Sequence, residues 1–408
     1  MTEAPEEIIA ARKKNLRKSV MDGFSGPIDR VKTTLLYRIG VVLAASFVVL
    51  LPVLYVALIG FAGYGVYWHA TENVEIASAG RGRGRIFAVL LYAAPIVAGG
   101  ISVLFMLKPL FARSVRPTGE ISLNRAAQPL LYEFVDRICD TVHAPRPARI
   151  DVTFDINASA HVANGFFGLF QRELVLTIGL PLVAGMPLQN LAGILAHEFG
   201  HFSQGAGMRV TMIIRNVNFW FAKVVYMRDE WDEWLVSAAH ETDIRIGWVF
   251  HIARLAVFLS RGILWCFMMI SHAATCWLAR QMEFDADRYE YRLAGSAAFE
   301  ETTFRLQWLG YGMQDYFRNT MHRAPGEQTG NPIRDFVRHC ESLTEKDRKR
   351  VRRRMEKSTT GFFDVHPADS ERIAMAQREN APGVFTSQLP ADAIFKNFDT
   401  MCAQMMML

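Results

Sequence analysis

Residues 197–201 read His-Glu-Phe-Gly-His and lie in an apolar stretch with helical spacing. On a helix, residues four apart share a face, so His197 and His201 can direct both imidazoles to one metal ion, with Glu198 beside it. Zinc suits this set because neutral imidazole is a good ligand and a catalytic zinc site keeps an open position for water. The alternative is a pair of core histidines on an apolar helix. The spacing favours one zinc ion (Zn2+) per chain, with Glu198 as general base.

A third ligand must come from elsewhere in the chain, and Glu283 is the best candidate. It begins the sequence EFDAD at the end of the last long apolar segment, and Asp287 follows four residues later on the same helical face. This spacing allows Glu283 to bind zinc while Asp287 accepts the outer N–H of a ligating histidine and fixes its tautomer. Alone, such an acidic cluster is more typical of a solvated helix surface. Combined with the 197–201 motif, it predicts Glu283 as ligand.

Apolar segments surround these motifs. Residues 39–68 and 86–107 carry no charged side chain, and each has at least the roughly 20 residues that cross a bilayer. They predict two transmembrane helices. Residues 209–227 and 246–279 are also apolar but hold three and two Lys or Arg, each costing about 2.5–3.5 kcal/mol at the centre of a membrane helix. They predict a second, weaker helical pair, either spanning the membrane with paired polar faces or lying on its surface or in a soluble core.

The charges that flank the two strong segments predict their orientation. Residues 1–38 and 108–125 together carry twelve Lys or Arg, whereas the loop over 69–85 carries three. The positive-inside rule therefore places the N-terminus and the metal motifs on the cytoplasmic side of a multi-pass cell-membrane protein. The predicted organisation is a basic N-terminal segment (1–38), two transmembrane helices (39–107), the first part of a catalytic domain (108–205), a membrane-associated helical pair (206–279) and the second part of the catalytic domain (280–408).

The composition and the local sequence patterns indicate the remaining features of the fold class. Hydrophobic residues make up 51% of the 408 residues and charged residues 21%, which excludes a disordered chain or a coiled coil. The net charge of +5 is too small to indicate nucleic-acid binding, and the five cysteines form no C-x-x-C pair, so we expect reduced thiols. Residues 149–155 and 173–179 resemble strands, and the pattern after 295 is helical. The basic run over 345–357 is typical of a solvated helix face or of a contact with anionic lipid.

Three motifs in the same order resemble a known family. The 197–201 motif, the Glu283 to Asp287 element and the later His366-Pro367, followed by Arg372, resemble HtpX-type membrane metallopeptidases and their relatives, the CAAX prenyl endopeptidases. The resemblance implies a mostly α membrane protein with an α+β gluzincin-like catalytic domain, zinc, and cleavage of membrane-associated protein or peptide substrates. It also implies that His366 and Arg372 line the active site and steady the transition state.

The same resemblance extends to a possible substrate strand. Asn157, Ala158, Ser159 and Ala160 are similar to the Asn-Ala-Phe-Ala edge-strand element of the family, with serine in place of the aromatic residue. In the mechanism that follows, Glu198 takes a proton from water and passes it to the leaving amine. Zinc, with His366 or Arg372, stabilises the oxyanion, and the substrate adds as a strand to the edge near Asn157–Ala160.

Two other functions remain open from the residues. A protease could place the 197–201 motif inside the bilayer, although polar residues flank the motif and no Asp-Gly element stands out as a third ligand. A membrane adaptor could keep zinc for structure, which would call for a fourth protein ligand such as Asp287 or His366. Retention of Glu198 favours the enzyme, since a structural site does not need that base. We therefore expect peptide hydrolysis at the cytoplasmic membrane surface, with a role in membrane-protein quality control.

Overall fold

The computed structural model describes residues 6–33, 35–79, 81–107, 110, 120–162, 173–203, 206–226, 237, 244–320 and 331–405. Three of the basic residues that predict the orientation lie at 108, 113 and 116, outside the described residues.

The strands are β1 (Ile121–Leu123), β2 (Arg149–Thr153), β3 (Ala158–Val162) and β4 (Leu174–Gly179). The helices are α1 (Glu6–Met21), α2 (Leu35–Glu72), α3 (Glu75–Ser78), α4 (Arg83–Leu107), α5 (Pro129–Val142), α6 (Leu180–Gly185), α7 (Leu188–Ser203), α8 (Ala206–Tyr226), α9 (Ile244–Ala294), α10 (Ser296–Thr320), α11 (Pro332–Ser342), α12 (Glu345–Glu356), α13 (Asp369–Glu379) and α14 (Phe398–Met405), with a 3-10 turn over Ala391–Ile394.

The chain divides into two compact units, and the first contains the metal motifs. The first unit comprises Met1–Tyr37, Arg116–Arg209 and Cys276–Leu408, and the second comprises Arg38–Val115 and Val210–Thr275. Each unit is therefore discontinuous in sequence. The sequence predicted the strands at β2 and β4, which is confirmed, whereas the short β1 has no clear signal in the sequence.

The second unit consists of the apolar helices. Within the described residues, three helices are long and apolar enough to cross a membrane, over Tyr37–Glu72, Gly84–Leu107 and Val257–Ala294. The first two match the predicted transmembrane helices. The third belongs to the weaker pair, and its partner α8 is not among the three helices that meet these criteria in the described chain. The apolar core of this unit includes Tyr55 and Phe221.

A polar contact joins the weaker pair within that unit. Asn218 of α8 donates from Nδ2 to Thr275 Oγ1 at 3.2 Å, and Ser271 Oγ donates to Asn218 Oδ1 at 2.5 Å. Both partners lie on α9, one turn apart. Hydrogen bonds of this kind link helices where the surroundings are apolar. A polar contact thus links the two segments through Asn218, Ser271 and Thr275.

The sheet of the first unit has the strand order β1-β2-β4-β3. β2 and β4 are parallel, whereas β1 and β3 are antiparallel to their neighbours, so β3 forms an edge of the sheet among the described strands. β2 and β4 are largely buried, and the Tyr132 hydroxyl of α5 accepts a hydrogen bond of 3.1 Å from the backbone N–H of Ile150 in β2. α5 contributes Leu131, Phe134 and Ile138, whose spacing of three and four residues gives it one apolar face.

α7, the helix with the metal motif, is buried along nearly its whole length. It packs against α5, α10 and β3. A helix surrounded in this way has little freedom to shift, so its polar side chains are held at defined positions. This burial explains why the motif lies in an apolar sequence without being a membrane span.

The basic run over 345–357 forms α12, with a capping box between Thr344 and Asp347. Part of its charge packs inside the unit. Arg352 lies over the ring of Phe304 with 4.5 Å to the centroid, and Arg348 lies 5.6 Å from that of Trp308. Cation–π contacts of this kind stabilise the packing of α12 on α10. Neither interpretation from the sequence, solvated face or lipid contact, included this packing.

Candidate metal centre

The two motif histidines lie one turn apart on α7, and α9 brings a carboxylate to both. Their rings are edge to face with centroids 5.0 Å apart. Glu283 Oε2 is 3.5 Å from His197 Nε2, and Glu283 Oε1 is 3.6 Å from His201 Nε2. The fold therefore places the three predicted ligands together, although they come from two helices far apart in the sequence.

This cluster has the dimensions of a metal site. The ligand atoms of His197, His201 and Glu283 all lie within 4.8 Å of one another. Ligands bound about 2.0–2.2 Å from a tetrahedral ion lie roughly 3.3–3.6 Å from each other, which is the size of both measured separations. Two imidazoles and one carboxylate are the donor set of a catalytic zinc site. Among the described residues this cluster has three members, so a tetrahedral ion would keep one position for water or substrate.

Behind His197 lies a buried carboxylate pair. His197 Nδ1 is 3.0 Å from Asp287 Oδ1 and 3.7 Å from Glu290 Oε2. The first distance is that of a hydrogen bond, but the atoms are not aligned for one, so the contact is electrostatic. Burial lowers the pKa of His197, whereas Asp287 and Glu283 raise it, and the net pKa is well above the usual value. Asp287 thus faces the outer nitrogen of a candidate ligand, where it can orient that ring.

Arg372 of α13 is bound to Asp287. Its Nε donates to Asp287 Oδ2 at 2.8 Å and its Nη2 donates to Oδ1 at 2.5 Å, a bidentate pair. Burial lowers the pKa of the guanidinium, but the charge and hydrogen bonds of Asp287 outweigh burial and raise the pKa above its usual value. The family resemblance implies that His366 or Arg372 stabilises the oxyanion. The structure instead directs these two donors of Arg372 to the carboxylate behind His197.

His366 lies on the other side of Glu283. Its Nδ1 is 2.9 Å from Glu283 Oε2, and the side chain is 69% exposed. The hydrogen bond that the His366 imidazole donates to the Glu283 carboxylate is the main cause that raises the pKa of His366. His366 is therefore at the mouth of the cluster, in contact with a candidate ligand and accessible to substrate.

The predicted base Glu198 lies against the sheet edge. Its Oε2 accepts a hydrogen bond of 3.2 Å from the backbone N–H of Ala160 in β3. An antiparallel strand directs alternate backbone groups to its neighbour and to the outside. The carbonyl oxygen of Asn157 accepts a hydrogen bond from the backbone N–H of Gly179. Ser159 and His161, two and four residues further along β3, therefore also direct their backbone groups to β4.

By the same alternation, the N–H and C=O groups of Ala158, Ala160 and Val162 are directed away from β4. Ala160 shows this directly, because its N–H reaches Glu198. Two of the four predicted substrate-binding residues, Ala158 and Ala160, thus direct their backbone groups outward, and Ala160 lies beside the predicted base. Asn157 is exposed, Ala158 and Ala160 are buried, and Ser159 is half-buried.

Two glycines of α7 allow α9 to lie close. A Cβ on Gly200 would come within 2.9 Å of Tyr289 Cδ2, and one on Gly193 would be 3.1 Å from the Cβ of Ala294. Both distances are tighter than ordinary side-chain contacts. Since Tyr289 and Ala294 belong to the same helix as Glu283, these glycines set the separation across which the metal ligands meet.

Glu290 is a member of the site that the sequence interpretation missed. It is buried, and with His197 and Asp287 it forms a second group whose ligand atoms lie within 4.8 Å. The signal was present, because Glu283, Asp287 and Glu290 follow the spacing of four and three residues that defines one helical face. Asp285 lies off this face and instead pairs with Arg288.

A family model for peptidase family M48 matches residues 126–380. The chain belongs to peptidase family M48. This range includes the 197–201 motif, the Glu283 to Asp287 element and Arg372, and it confirms the resemblance to HtpX-type and CAAX peptidases. Membership indicates a metallopeptidase, a hydrolase of peptide bonds. No curated protein and no solved structure matches the chain.

Proposed function

We propose that the protein is a membrane-bound zinc endopeptidase that hydrolyses membrane-associated proteins at the cytoplasmic membrane surface. The observation that carries this proposal is that Glu198, next in sequence to His197 of the His197, His201 and Glu283 cluster, accepts a hydrogen bond from the backbone N–H of Ala160 in the edge strand β3. A metal, a base and a substrate-binding strand thereby meet at one place. Removal of damaged or misassembled membrane proteins is the cellular role we infer.

The residues of the chain divide the chemistry among them. Zinc, held by His197, His201 and Glu283, would acidify water and polarise the scissile carbonyl. Glu198 takes the proton of the attacking water and delivers it to the leaving amine. His366, at the mouth of the cluster, donates to the developing oxyanion.

Two groups act through the ligands instead of on the substrate. Asp287 faces His197 Nδ1 and Arg372 holds Asp287. We therefore infer that Arg372 is a positioning residue, in place of the oxyanion role that the family resemblance implies.

The substrate backbone adds as a strand to β3. Edge-strand recognition obtains affinity from main-chain hydrogen bonds and leaves side-chain selectivity to the adjacent pockets. The outward groups of Ala158 and the C=O of Ala160 supply these bonds, and the N–H of Ala160 holds Glu198, so the scissile bond lies next to Glu198. Ser159 is the position at which the chain departs from the aromatic residue of the family element.

The alternatives are less well supported. α7 has 16 residues, fewer than the roughly 20 needed to cross a bilayer, and it packs against a sheet strand, which favours cleavage at the surface over cleavage within the membrane. The described residues supply three candidate ligands to this cluster, which would leave a tetrahedral ion one open position, and this count and the presence of Glu198 favour an enzyme over a zinc-containing adaptor.

Removal of the metal is expected to abolish hydrolysis of a casein-type substrate by the full-length protein in lipid nanodiscs. Treatment with phenanthroline followed by stoichiometric Zn²⁺ should restore turnover, because the three-ligand cluster persists when the chain stays folded. Metal content by mass spectrometry and turnover are measured on the same samples. Full turnover by metal-free protein would contradict the proposed function.

Substitution of Ala160 by proline is expected to lower kcat/KM roughly 10- to 100-fold, the loss of one hydrogen bond to a charged group of about 1.5–3 kcal/mol. Proline removes the N–H that reaches Glu198 but leaves the pairing of β3 with β4 intact, since this N–H faces away from β4. Ala160→Gly retains the N–H and serves as control. Equal kcat/KM for the two variants would exclude a role for this backbone group.

A further inference from the structure

Two neighbouring aromatic side chains are exposed a few residues before His366 in the chain. Phe362 is 72% exposed and Phe363 is 54% exposed, and their ring centroids are 5.0 Å apart. We call residues Gly361–Asp364 the Phe loop. An exposed pair of large apolar rings at one place is uncommon on a water-facing surface and marks a site of interaction.

The Phe loop has a defined shape. Gly361 N donates to Asp364 Oδ2 at 2.7 Å, which closes the turn. Just before it, Thr360 Oγ1 donates to Glu371 Oε2 at 2.8 Å and accepts from Ala368 N at 2.8 Å. These hydrogen bonds connect the loop to the start of α13. The two rings therefore extend from a turn of defined conformation.

The loop is bound to α9 at the point where the apolar run ends. Arg280 Nη1 donates to the carbonyl oxygens of Gly361 at 3.2 Å, Phe362 at 3.3 Å and Asp364 at 3.1 Å. One turn earlier, Cys276 Sγ donates to Phe363 O at 3.4 Å. Arg280 is the first charged residue after the apolar stretch of α9. The backbone of the Phe loop therefore lies within about one helical turn, roughly 5–6 Å along the axis, of the place where α9 changes from apolar to charged.

The neighbouring side chains have the character of a membrane interface. Trp277, on the same turn of α9, is 54% exposed. α12, which ends five residues before Gly361, carries seven Lys or Arg against three Asp or Glu. Aromatic rings are enriched at the level of lipid headgroups, and basic segments are attracted to anionic leaflets.

We propose that the Phe loop inserts Phe362 and Phe363 into the boundary between headgroups and acyl chains and holds the His366 segment on the bilayer surface. The proposal rests on the membrane placement in the proposed function. Its consequence is selectivity by location: because His366 follows the loop directly, a peptide bond close to the bilayer reaches the site more readily than one in a soluble protein.

The test places a fluorescent label on the loop of the full-length protein in nanodiscs. A Cys266→Ser background removes the exposed cysteine, while the other four cysteines are buried. A bimane label is attached at Phe362→Cys, or at Phe317→Cys as the matched control, since Phe317 of α10 is 49% exposed in the same unit. Nanodiscs contain phosphatidylcholine and phosphatidylglycerol, with or without lipids brominated near the top of the acyl chain.

We expect brominated lipid to quench the label at residue 362 at least threefold more than the label at residue 317. Equal quenching at the two positions would overturn the proposal, whether the loop then faces water or another protein. This readout does not involve catalysis, so it distinguishes failure of the lipid contact from failure of the proposed peptidase activity.

A double variant, Phe362→Ser with Phe363→Ser, tests the effect of the Phe loop on cleavage. Cleavage of a membrane-anchored substrate is expected to fall several-fold, with cleavage of a soluble casein-type peptide unchanged. Phe317→Ser is the control and should leave both rates unchanged. An equal loss on both substrates would also overturn the proposal, because it would indicate a general effect on the site.

Discussion

Replacement of Glu198 by glutamine is expected to reduce peptide hydrolysis by about 10²–10⁴-fold, the contribution of a general acid–base residue. Glutamine keeps the shape of the side chain and an oxygen that can accept the hydrogen bond from Ala160 N–H. It cannot take a proton from water or return one to the leaving amine. Turnover of a casein-type substrate and metal content are measured together, and metal content is expected to stay at one ion per chain.

The matched control is Glu341→Gln, an exposed carboxylate of α11 in the same unit, which should retain normal turnover. Loss of activity in Glu198→Gln with loss of metal would indicate a structural role for Glu198. Normal turnover by Glu198→Gln would rule out the proposed mechanism.

Replacement of Arg372 by methionine is expected to destabilise the first unit by about 3–5 kcal/mol, because it leaves the buried Asp287 carboxylate without its bidentate partner. The same change in an Asp287→Asn background should cost much less, since the uncompensated charge is gone. The four proteins of this double-mutant cycle are compared by denaturant titration in mild detergent. Arg353→Met, at an exposed position of α12, is the control.

Measurement of metal affinity distinguishes a positioning role of Arg372 from a direct role at the oxyanion. As a positioning residue it acts through Asp287 on His197, so Asp287→Asn and Arg372→Met should each weaken metal binding, by about 10- to 100-fold for loss of such an outer contact. A direct role at the oxyanion would instead lower kcat with unchanged stability and metal affinity. That second result would return Arg372 to the role that the family resemblance implies.

Features that depend on residues close together in the chain were predictable from the sequence. The 197–201 motif and the Glu283 to Asp287 element follow helical spacing, which is a property of consecutive residues. The long apolar runs of α2 and α4 depend on composition alone, and β2 and β4 depend on short β-branched segments. The strand β3 was reached only through the family element, because its sequence contains alanine, serine and histidine instead of a typical strand pattern.

The metal-binding residue types, the apolar segments and the family could be recognised from the sequence, since each depends on spacing or composition within a short stretch. The contacts of Arg372 with Asp287, of Ala160 with Glu198 and of Arg280 with the Phe loop became visible in the folded chain. These contacts join segments far apart in the chain. No local periodicity encodes them, because which distant surfaces meet depends on packing, such as the close approach of α7 and α9 that Gly193 and Gly200 allow.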